Sequence, residues 1–254
     1  MDNDFYHALA SFSPPSGYLD GRVVLITGAS RGIGAALTME AARLGAQVVM
    51  LARSVQDMGT IADQCLAQNF VEPMIVPINL EAASTNDYAD VVEAIDAKLG
   101  RMDGLVLNAG MLGELAPIQS YDPITWAKVF QLNVHSQFLL LQAALPLLGK
   151  SEDSSVIFTT SSVGRNSRAH WGAYAVSKFA TEGLMQTLAD EYESASMRVN
   201  AVNPGRTRTR MRRAAYPAEE AASLPEPREV ILPFIFLLGS SARGCNGLSV
   251  DAQQ

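Results

Sequence analysis

The chain has 254 residues and a mass of 27.2 kDa, a length that suits one large domain or two small ones. Hydrophobic residues make up 48% of it and charged residues 18%, so disordered, collagen-like and low-complexity chains are excluded. The net charge of −7 argues against nucleic acid or an anionic membrane as the main partner, because a field of that sign repels phosphate groups.

The cysteines and the apolar segments indicate the compartment. Neither Cys65 nor Cys245 has another Cys or a His at ligand spacing, so we predict neither a disulfide framework nor a metal site. The apolar run 231–238 is far shorter than the roughly 18 residues of a membrane span, and the acidic start 1–4 is unlike a signal peptide. We therefore expect a cytoplasmic protein that contacts no membrane.

Short apolar runs alternate along the chain with longer helical patterns, which is typical of parallel strands joined by helices. The predicted strands are Val23–Ile26, Gln47–Leu51, Met74–Ile78, Gly104–Leu107, Val156–Thr160, Arg198–Val202 and Leu248–Val250. Because these runs are short and continuously apolar, we expect one sheet that helices cover on both faces. The predicted helices cover about 32–44, begin again at Ser84, and then cover about 124–148 and 171–193.

Nothing in the sequence marks a second domain. No internal repeat or linker is found, so residues 1–254 are predicted to form one domain, with 1–18 as an N-terminal extension. Residues 206–229, rich in Arg, Pro and Ala, interrupt the alternation and are predicted to form a substrate loop or lid.

The turn after the first predicted strand, residues 27–34, contains three glycines and opens directly into a helix. Glycines let the backbone approach a ligand closely, and the free N–H groups of a helix start attract a pyrophosphate. The spacing of Gly28, Gly32 and Gly34 differs from the general dinucleotide fingerprint, and such a triplet also occurs in simple tight turns. Its place between the first strand and the first helix favours a dinucleotide site.

The end of the second predicted strand indicates which dinucleotide binds. It carries Arg53 in place of the Asp or Glu that accepts a hydrogen bond from a ribose 2′-hydroxyl, and Arg31 lies in the glycine turn. Two guanidinium groups suit a 2′-phosphate, so NADP(H) is favoured over NAD(H). The alternative is that both are solvated surface arginines.

Tyr174 and Lys178 lie four residues apart, hence on one face of a predicted helix, and Ser161 follows the fifth strand. A phenol has an ordinary pKa of about 10, and a nearby ammonium favours its ionised form, which eases proton transfer. A serine hydroxyl could hold a carbonyl oxygen beside that phenol. Alone, a Tyr and a Lys at this spacing are usually only a pair on a helix surface.

Several motifs occur in one order along the chain, and together they resemble the short-chain dehydrogenase/reductase family. They are Thr-Gly-Ala-Ser-Arg-Gly-Ile-Gly at 27–34, Asn-Ala-Gly at 108–110, Ser161, Tyr174 with Lys178, and Asn-Pro-Gly at 203–205. The resemblance covers residues 19–251. Within the family the chain is most similar to the bacterial YciK-type oxidoreductases, through residues 161–165, 171–183 and 203–209.

The resemblance implies an α/β fold, a single-domain Rossmann-like three-layer αβα sandwich with a parallel sheet of about seven strands. It also implies the catalytic set Asn133, Ser161, Tyr174 and Lys178. Tyr174 would be the general acid in carbonyl reduction and the base in alcohol oxidation, and Ser161 would polarise the carbonyl oxygen. Lys178 would lower the Tyr174 pKa and bind the nicotinamide ribose. Asn133 would hold a water of the proton relay or, alternatively, bond a backbone carbonyl.

Ser162 is the alternative to Ser161, although Ser161 has the family's usual spacing of 174 − 161 = 13 residues to Tyr174. The family also implies contacts of 108–110 with the adenosine ribose, of Asn79 with adenine, and of 204–209 with the nicotinamide. The predicted cofactor-binding residues are Gly28, Ser30, Arg31, Gly32, Ile33, Gly34, Arg53, Asn79, Leu80, Asn108, Ala109, Gly110, Tyr174, Lys178, Pro204, Gly205, Thr207 and Thr209.

Charge is distributed unevenly. Residues 160–213 contain nine Lys or Arg and four Asp or Glu, a net of +5 within a chain of net −7. Seven arginines of this basic segment lie in two loops: Arg165, Arg168, Arg206, Arg208, Arg210, Arg212 and Arg213. They favour a small anionic substrate or an acidic carrier. The alternative is that they pair with acids of a neighbouring subunit or bind only cofactor phosphate.

The sequence therefore predicts an NADP(H)-dependent oxidoreductase that interconverts a carbonyl and a secondary alcohol. As in the family, we expect a homodimer or homotetramer. Two alternatives are a catalytically silent protein that senses the cofactor and binds a partner, and a reductase of carrier-bound 3-oxoacyl groups. The intact Asn, Ser, Tyr and Lys set argues against the sensor, because a sensor needs only the glycine turn.

Overall fold

Seven short strands form one parallel sheet in the computed structural model, which describes residues 2–253. They are β1 (Val23–Thr27), β2 (Gln47–Ala52), β3 (Met74–Pro77), β4 (Gly104–Leu107), β5 (Ser154–Thr159), β6 (Met197–Asn203) and β7 (Ser249–Asp251). Neighbouring strands pair in parallel in the order β3-β2-β1-β4-β5-β6-β7. All seven predicted strands and the three-layer Rossmann-like fold are confirmed, with small shifts at the strand ends.

Helices precede the first strand of the described chain and connect the strands that follow. They are α1 (Asp2–Ala10), α2 (Gly32–Arg43), α3 (Val55–Ala67), α4 (Thr85–Leu99), α5 (Pro123–Phe130), α6 (Ser136–Leu148), α7 (Gly172–Glu191), α8 (Arg210–Ala215) and α9 (Leu232–Leu238). The predicted helix over 124–148 is interrupted, because a π-helical turn, Gln131–His135, joins α5 to α6. Helix α1 lies in the segment predicted only as an N-terminal extension.

Side chains that alternate along each strand divide the core into two layers. Ile26 of β1 belongs to the layer with Leu37 of α2, which also contains α1, α3 and α9. Its neighbour Leu25 belongs to the opposite layer, with Tyr88 of α4 and Met185 of α7. Because both faces are covered, β1, β4, β5 and β6 are buried along their whole length, whereas the edge strands β3 and β7 are partly exposed.

Capping residues fix where the helices begin and end. The Ser84 hydroxyl accepts a hydrogen bond from the Asp87 N–H, and the Asp87 carboxylate accepts one from the Ser84 N–H, which confirms the predicted start of α4. Gly45 follows α2 with a φ of +95°, and a Cβ there would lie 1.7 Å from a carboxylate oxygen of Asp20. Only glycine fits this helix stop.

The strand order positions a crevice at one edge of the sheet. The chain passes outward from β1 to β2 and β3 and then returns to β4, so the order reverses between β1 and β4. In open parallel sheets, ligands bind at the carboxyl ends of the strands that flank such a reversal. The turns that follow β1 and β4 meet at this point.

No helix within residues 2–253 meets the length and hydropathy that a membrane crossing requires. Over the same described range, no three or more His, Cys, Asp or Glu side chains are grouped so as to hold a metal ion. Cys65 and Cys245 are both free thiols.

Asp103, at the start of β4, joins three strands at the opposite edge of the sheet. Its carboxylate, which is almost fully buried, accepts hydrogen bonds from the Val23 N–H at 2.9 Å, the Ser151 hydroxyl at 2.6 Å and the Arg101 guanidinium at 2.7 Å. Burial raises the pKa of this carboxyl, but these donors outweigh it and hold the pKa below its usual value. The ionised form of Asp103 therefore stabilises the fold.

We predict that Asp103→Ala lowers the free energy of unfolding by about 3 kcal/mol at neutral pH, because two buried donors lose their acceptor. Since the folded-state pKa is depressed, the contribution of Asp103 is complete above about pH 4 and is lost as the pH falls through the folded-state pKa. Urea unfolding from pH 7 to pH 3 measures the difference between variant and wild type. Asp96→Ala, which removes an exposed ion pair with Lys150, is the control and should cost less than about 1 kcal/mol. Equal losses in the two variants would contradict the prediction.

Candidate active site

A cleft of about 1460 Å³ opens at the carboxyl edge of the sheet. The turns after β1 to β6 line it, and α8, within the predicted lid 206–229, forms one side. The structure brings most predicted site residues together here, namely Gly28, Ser30, Arg31, Gly32, Ile33, Arg53, Asn79, Leu80, Asn108, Ala109, Gly110, Ser161, Tyr174, Lys178, Pro204, Gly205, Thr207 and Thr209. Gly34 and Asn133 do not line the cleft.

The glycine turn after β1 has a backbone that favours glycine. Gly28 and Gly32 have φ values of +66° and +55°, and a Cβ on Gly28 would lie 3.0 Å from the Ala109 Cα. A Cβ on Gly34 would lie 2.3 Å from the Gly28 carbonyl oxygen. This glycine lets α2 pack against the turn, and the expected cofactor contact at Gly34 stays a prediction.

The first turn of α2 leaves backbone N–H groups available at the cleft. Its N-cap residue, Arg31, makes no side-chain capping bond, and the first turn contains no acidic residue. Such a helix start binds phosphate through its N–H groups and its dipole. Arg31 and Arg53 are exposed at the cleft, and neither has an ion-pair partner among residues 2–253. A nucleotide phosphate would meet free N–H donors and two uncompensated guanidinium groups.

Thr27, the last residue of β1, holds the turn that follows β4. Its hydroxyl accepts hydrogen bonds from the Asn108 and Ala109 N–H groups, both at 2.9 Å, and its carbonyl accepts one from Asn108 Nδ2 at 3.0 Å. Gly110 continues this turn, and a Cβ there would lie 3.3 Å from Asn133 Oδ1. The end of β1 thus fixes the cleft wall formed by 108–110.

Asn133 lies in the π-helical turn and is fully buried. Its Nδ2 donates to the Met111 carbonyl at 2.9 Å and to the Ser177 hydroxyl at 3.0 Å, and its Oδ1 accepts from the Met111 N–H at 2.8 Å. The side chain thus anchors the π turn to the backbone after β4, as the alternative interpretation expected. Its part in holding a water stays a prediction.

Ser161, Tyr174 and Lys178 form one group at the end of β5. Ser161 and the buried Tyr174 both line the cleft, and the Ser161 hydroxyl is near enough to the phenol to influence its pKa. Lys178 Nζ donates to the Thr159 carbonyl at 2.6 Å and lies 5.8 Å from the centre of the Tyr174 ring. Ser162 is exposed and does not line the cleft, so the geometry favours Ser161 of the two serines.

Burial dominates the proton affinities of this group. It raises the pKa of Tyr174 to about 12, with the nearby Ser161 hydroxyl acting in the opposite direction. It lowers the pKa of Lys178 to about 8, with the charge of Glu182 acting in the opposite direction. In this geometry the ammonium does not reverse the effect of burial, so the expected lowering of the Tyr174 pKa is not found.

The turn after β6 is held by side chains from β7 and from the loop after β5. Asn203 Oδ1 accepts from the Gly205 N–H at 3.1 Å, and Asn203 Nδ2 donates to Asp251 Oδ1 at 2.8 Å. The same Asp251 oxygen accepts from Arg165 at 2.5 Å, and the Asp251 N–H donates to the Tyr6 hydroxyl of α1 at 2.7 Å. The loops after β5 and β6 therefore share one carboxylate.

Thr207 and Thr209 use their hydroxyls within the loop that leads to α8. Thr207 is buried and donates to the Pro204 carbonyl at 3.2 Å, and Thr209 caps α8 by accepting from the Arg212 N–H. The Thr209 methyl lies 3.6 Å from where a Cβ on Gly32 would stand. Helix α8 therefore begins beside the glycine turn.

Three arginines of the basic segment are neutralised by acids of the same chain. The pairs are Arg165 with Asp251, Arg208 with Glu226, and Arg212 with Glu219. No neighbouring subunit is needed to compensate these charges. Arg168, Arg206, Arg210 and Arg213 have no ion-pair partner in the described part of the chain, and of these only Arg210 and Arg213 line the cleft.

An apolar wall stands beside Tyr174, formed by Leu112, Trp171, Met211, Ala215 and Tyr216. Trp171, Met211 and Ala215 pack on a cluster that contains Leu112 and Tyr174, and the rings of Trp171 and Tyr216 lie 6.0 Å apart. No motif marks Leu112, Met211, Ala215 or Tyr216, which belong to a loop or a short helix. The only signal in the sequence is their position shortly after the Asn-Ala-Gly and Asn-Pro-Gly motifs.

Known proteins are similar to this chain in sequence and in fold. The sequence model of the short chain dehydrogenase family matches residues 22–220. Over 242 residues, which are 95% of this chain and 96% of the relative, the chain is 41% identical to the oxidoreductase YciK of Escherichia coli strain K12.

Two solved structures are similarly close. A short chain dehydrogenase from Pseudomonas syringae has a TM-score of 0.94 and 44% identity, covering 96% of this chain and 99% of its own. A short chain dehydrogenase from Escherichia coli CFT073, complexed with NADPH, has a TM-score of 0.92 and 42% identity, covering 94% of this chain and 100% of its own.

The chain therefore belongs to the short-chain dehydrogenase/reductase family of oxidoreductases. The resemblance to the YciK-type group, expected from three of its segments, is also confirmed.

We predict that Gly34→Ala destabilises the glycine turn, because the new Cβ would overlap the Gly28 carbonyl oxygen. The expected result is a loss of about 2 kcal/mol of stability and a weaker NADPH affinity. Thermal unfolding with and without NADPH measures both effects. Gly59→Ala is the control, since a Cβ there meets nothing within 4 Å and should stabilise α3 by about 0.5–1 kcal/mol. An unchanged NADPH affinity in Gly34→Ala would contradict the prediction.

Proposed function

We propose that this protein is an NADP(H)-dependent oxidoreductase that interconverts a carbonyl and a secondary alcohol. The observation that carries the proposal is that the Ser161 hydroxyl and the buried Tyr174 phenol both line one dinucleotide-sized cleft, with Lys178 one helical turn from Tyr174. A carbonyl oxygen placed against these two hydroxyls would have two hydrogen-bond donors. Such paired donors stabilise the negative charge that develops on a carbonyl oxygen during reduction.

The residues of the cleft fit an NADP cofactor. The glycine turn admits a backbone approach that any Cβ would block, the uncapped start of α2 suits a diphosphate, and Arg31 and Arg53 suit a 2′-phosphate. NADPH in the structure of the Escherichia coli CFT073 relative supports this assignment. When bound, the dihydronicotinamide supplies a hydride to the carbonyl carbon.

Each catalytic side chain has one role in this proposal. Tyr174 donates the proton to the carbonyl oxygen in reduction and accepts it from the alcohol in oxidation. Ser161 holds that oxygen beside the phenol. Lys178, fixed by the Thr159 carbonyl, places a positive charge behind the phenol and is the residue through which a proton would be returned to Tyr174.

We predict that Tyr174→Phe lowers kcat by about 10²–10⁴-fold while the NADPH dissociation constant stays within about twofold, because only the proton donor is removed. A panel of ketones and aldehydes, followed by NADPH absorbance, identifies a substrate for the measurement. On that substrate Ser161→Ala should lower kcat by about 10²-fold, and Ser162→Ala should change it by less than about twofold.

Normal turnover by Tyr174→Phe would refute this chemistry. If the wild type oxidised no NADPH with any carbonyl of the panel and instead retained a stable protein partner, the sensor function would replace the proposal. Activity confined to carrier-bound 3-oxoacyl groups would identify the carrier reductase.

The preference for NADP(H) over NAD(H) depends on two arginines. We predict that Arg31→Ala and Arg53→Ala each raise the NADPH dissociation constant by about tenfold or more and leave the weaker NADH affinity within about twofold, because a charge-assisted bond to the 2′-phosphate is lost. Isothermal titration with both cofactors measures this. Arg43→Ala is the control, because Arg43 is at the far end of α2 from Arg31 and is paired with Glu40. Equal loss of NADPH and NADH binding would show that these arginines do not select the cofactor.

We also infer that the protein forms a homodimer or homotetramer through α6 and α7. These helices lie in one layer and expose large apolar side chains, Phe138, Val176 and Phe179, each more than 40% accessible in the single chain. Light scattering should give two or four times 27.2 kDa, and Phe179→Glu should lower that mass. Leu66→Glu, at an exposed apolar residue of α3 in the opposite layer, is the control, and a monomeric wild type would exclude the assembly.

A further inference from the structure

We propose that the substrate carries an anionic group, a carboxylate or a phosphate, which Arg210 and Arg213 of α8 bind beside the reacting carbonyl. The inference rests on the proposed carbonyl chemistry and specifies its substrate class. Two of the seven arginines of the basic segment would bind the anion. The other five are paired with carboxylates or lie off the cleft.

The first step is the charge balance of the basic segment. Arg165, Arg208 and Arg212 are held by carboxylates of the same chain, so their charge is compensated. Arg168 and Arg206 lie off the cleft. Within residues 2–253, Arg210 and Arg213 are thus the arginines of this segment that combine a place on the cleft with the lack of any carboxylate partner.

The second step is the geometry of α8. Met211 and Ala215, four residues apart, pack on the cluster that contains Tyr174. Arg210 and Arg213, three residues apart, are neighbours on the helix and lie on the face turned away from this apolar stripe, and both line the cleft. Arg212, between them in sequence, pairs with Glu219 and lies 3.8 Å from the Tyr216 ring. The two free guanidinium groups are therefore within one helical turn of residues that contact the Tyr174 cluster.

The third step is the electrostatic cost of this arrangement. Like charges at neighbouring positions on a helix repel each other and destabilise it. The chain compensates the adjacent Arg212 with an acid and leaves this pair uncompensated. An anion bound between the two guanidinium groups would remove the repulsion and accept charge-assisted hydrogen bonds from both.

The other residues of the cleft indicate the chemistry of the substrate between its carbonyl and its anionic group. Leu112, Trp171 and Met211 form an apolar wall beside Tyr174 in the cleft that the two arginines also line, so the segment that links the carbonyl to the anion should be apolar. Glu114 also lines the cleft, and its carboxylate accepts a hydrogen bond from the Thr125 hydroxyl at 3.4 Å. This places Glu114 beside α5.

The cofactor diphosphate is the competing source of negative charge, because α8 begins beside the glycine turn. The test therefore measures NADPH affinity and substrate turnover separately. Arg210→Gln and Arg213→Gln remove the charge and leave a shorter polar side chain that can still form hydrogen bonds. Arg206→Gln, an exposed arginine without an ion pair that lies off the cleft, is the matched control.

The assay uses pairs of ketones that differ only in one distal group, a carboxylate or phosphate against its neutral amide or alcohol, with NADPH at saturation. We expect the wild type to favour the anionic member. Each arginine variant should lower kcat/KM for that member by roughly tenfold, mainly through KM, and should leave the neutral member and the NADPH dissociation constant within about twofold. Arg210→Lys and Arg213→Lys should restore part of the loss.

Three results would overturn the inference: equal loss on both members of a pair, weaker NADPH binding with an unchanged KM for the ketone, or loss confined to carrier-bound acyl groups. Wild-type turnover of neutral ketones without preference for the anionic ones would refute this inference and leave the proposed function intact. Absence of any carbonyl turnover would refute both.

Discussion

The cleft depends on a close contact between two backbones at the reversal of the sheet. Gly28 approaches the turn after β4 so closely that a Cβ would stand 3.0 Å from the Ala109 Cα, and Gly34 leaves no space for a Cβ under the Gly28 carbonyl. The Thr27 hydroxyl secures this contact with hydrogen bonds from Asn108 and Ala109. Because neither Gly28 nor Gly34 carries a Cβ at this contact, the turns can approach closely, and α2 begins at the crevice between β1 and β4.

Most of the fold could be predicted because its determinants are local. The central strands are apolar throughout since helices cover both faces, and α4 begins where Ser84 and Asp87 cap each other. Helix α1 and the π turn could not be predicted, because tertiary contacts define them. Phe5 of α1 packs edge-on against Phe236 of α9, and Asn133 ties the π turn to the backbone of Met111.

The candidate site likewise has features that the sequence could predict and features that it could not. The glycine turn and the group of Ser161, Tyr174 and Lys178 could be found from spacing, because spacing fixes backbone shape and helix face. The ion pairing and the pKa values of the site's titratable groups could not be predicted in this way. Arg165 is neutralised by Asp251, which lies 86 residues further along the chain, and burial sets the pKa of Tyr174 against the direction that a neighbouring ammonium would give. Such long-range pairing separates the arginines that hold the fold from those left for a ligand.

Through the carboxylate of Asp251, a short edge strand holds two loops of the cleft in place. Strand β7 has only three residues, pairs on one side with β6, and yet supports Gly205 through Asn203 and the loop after Ser161 through Arg165. Short edge strands are among the first elements to open in native proteins. Opening of β7 would release both loops together. The amide hydrogens of Gly205 and Arg165 should therefore exchange at one rate, which is the rate at which this edge strand opens.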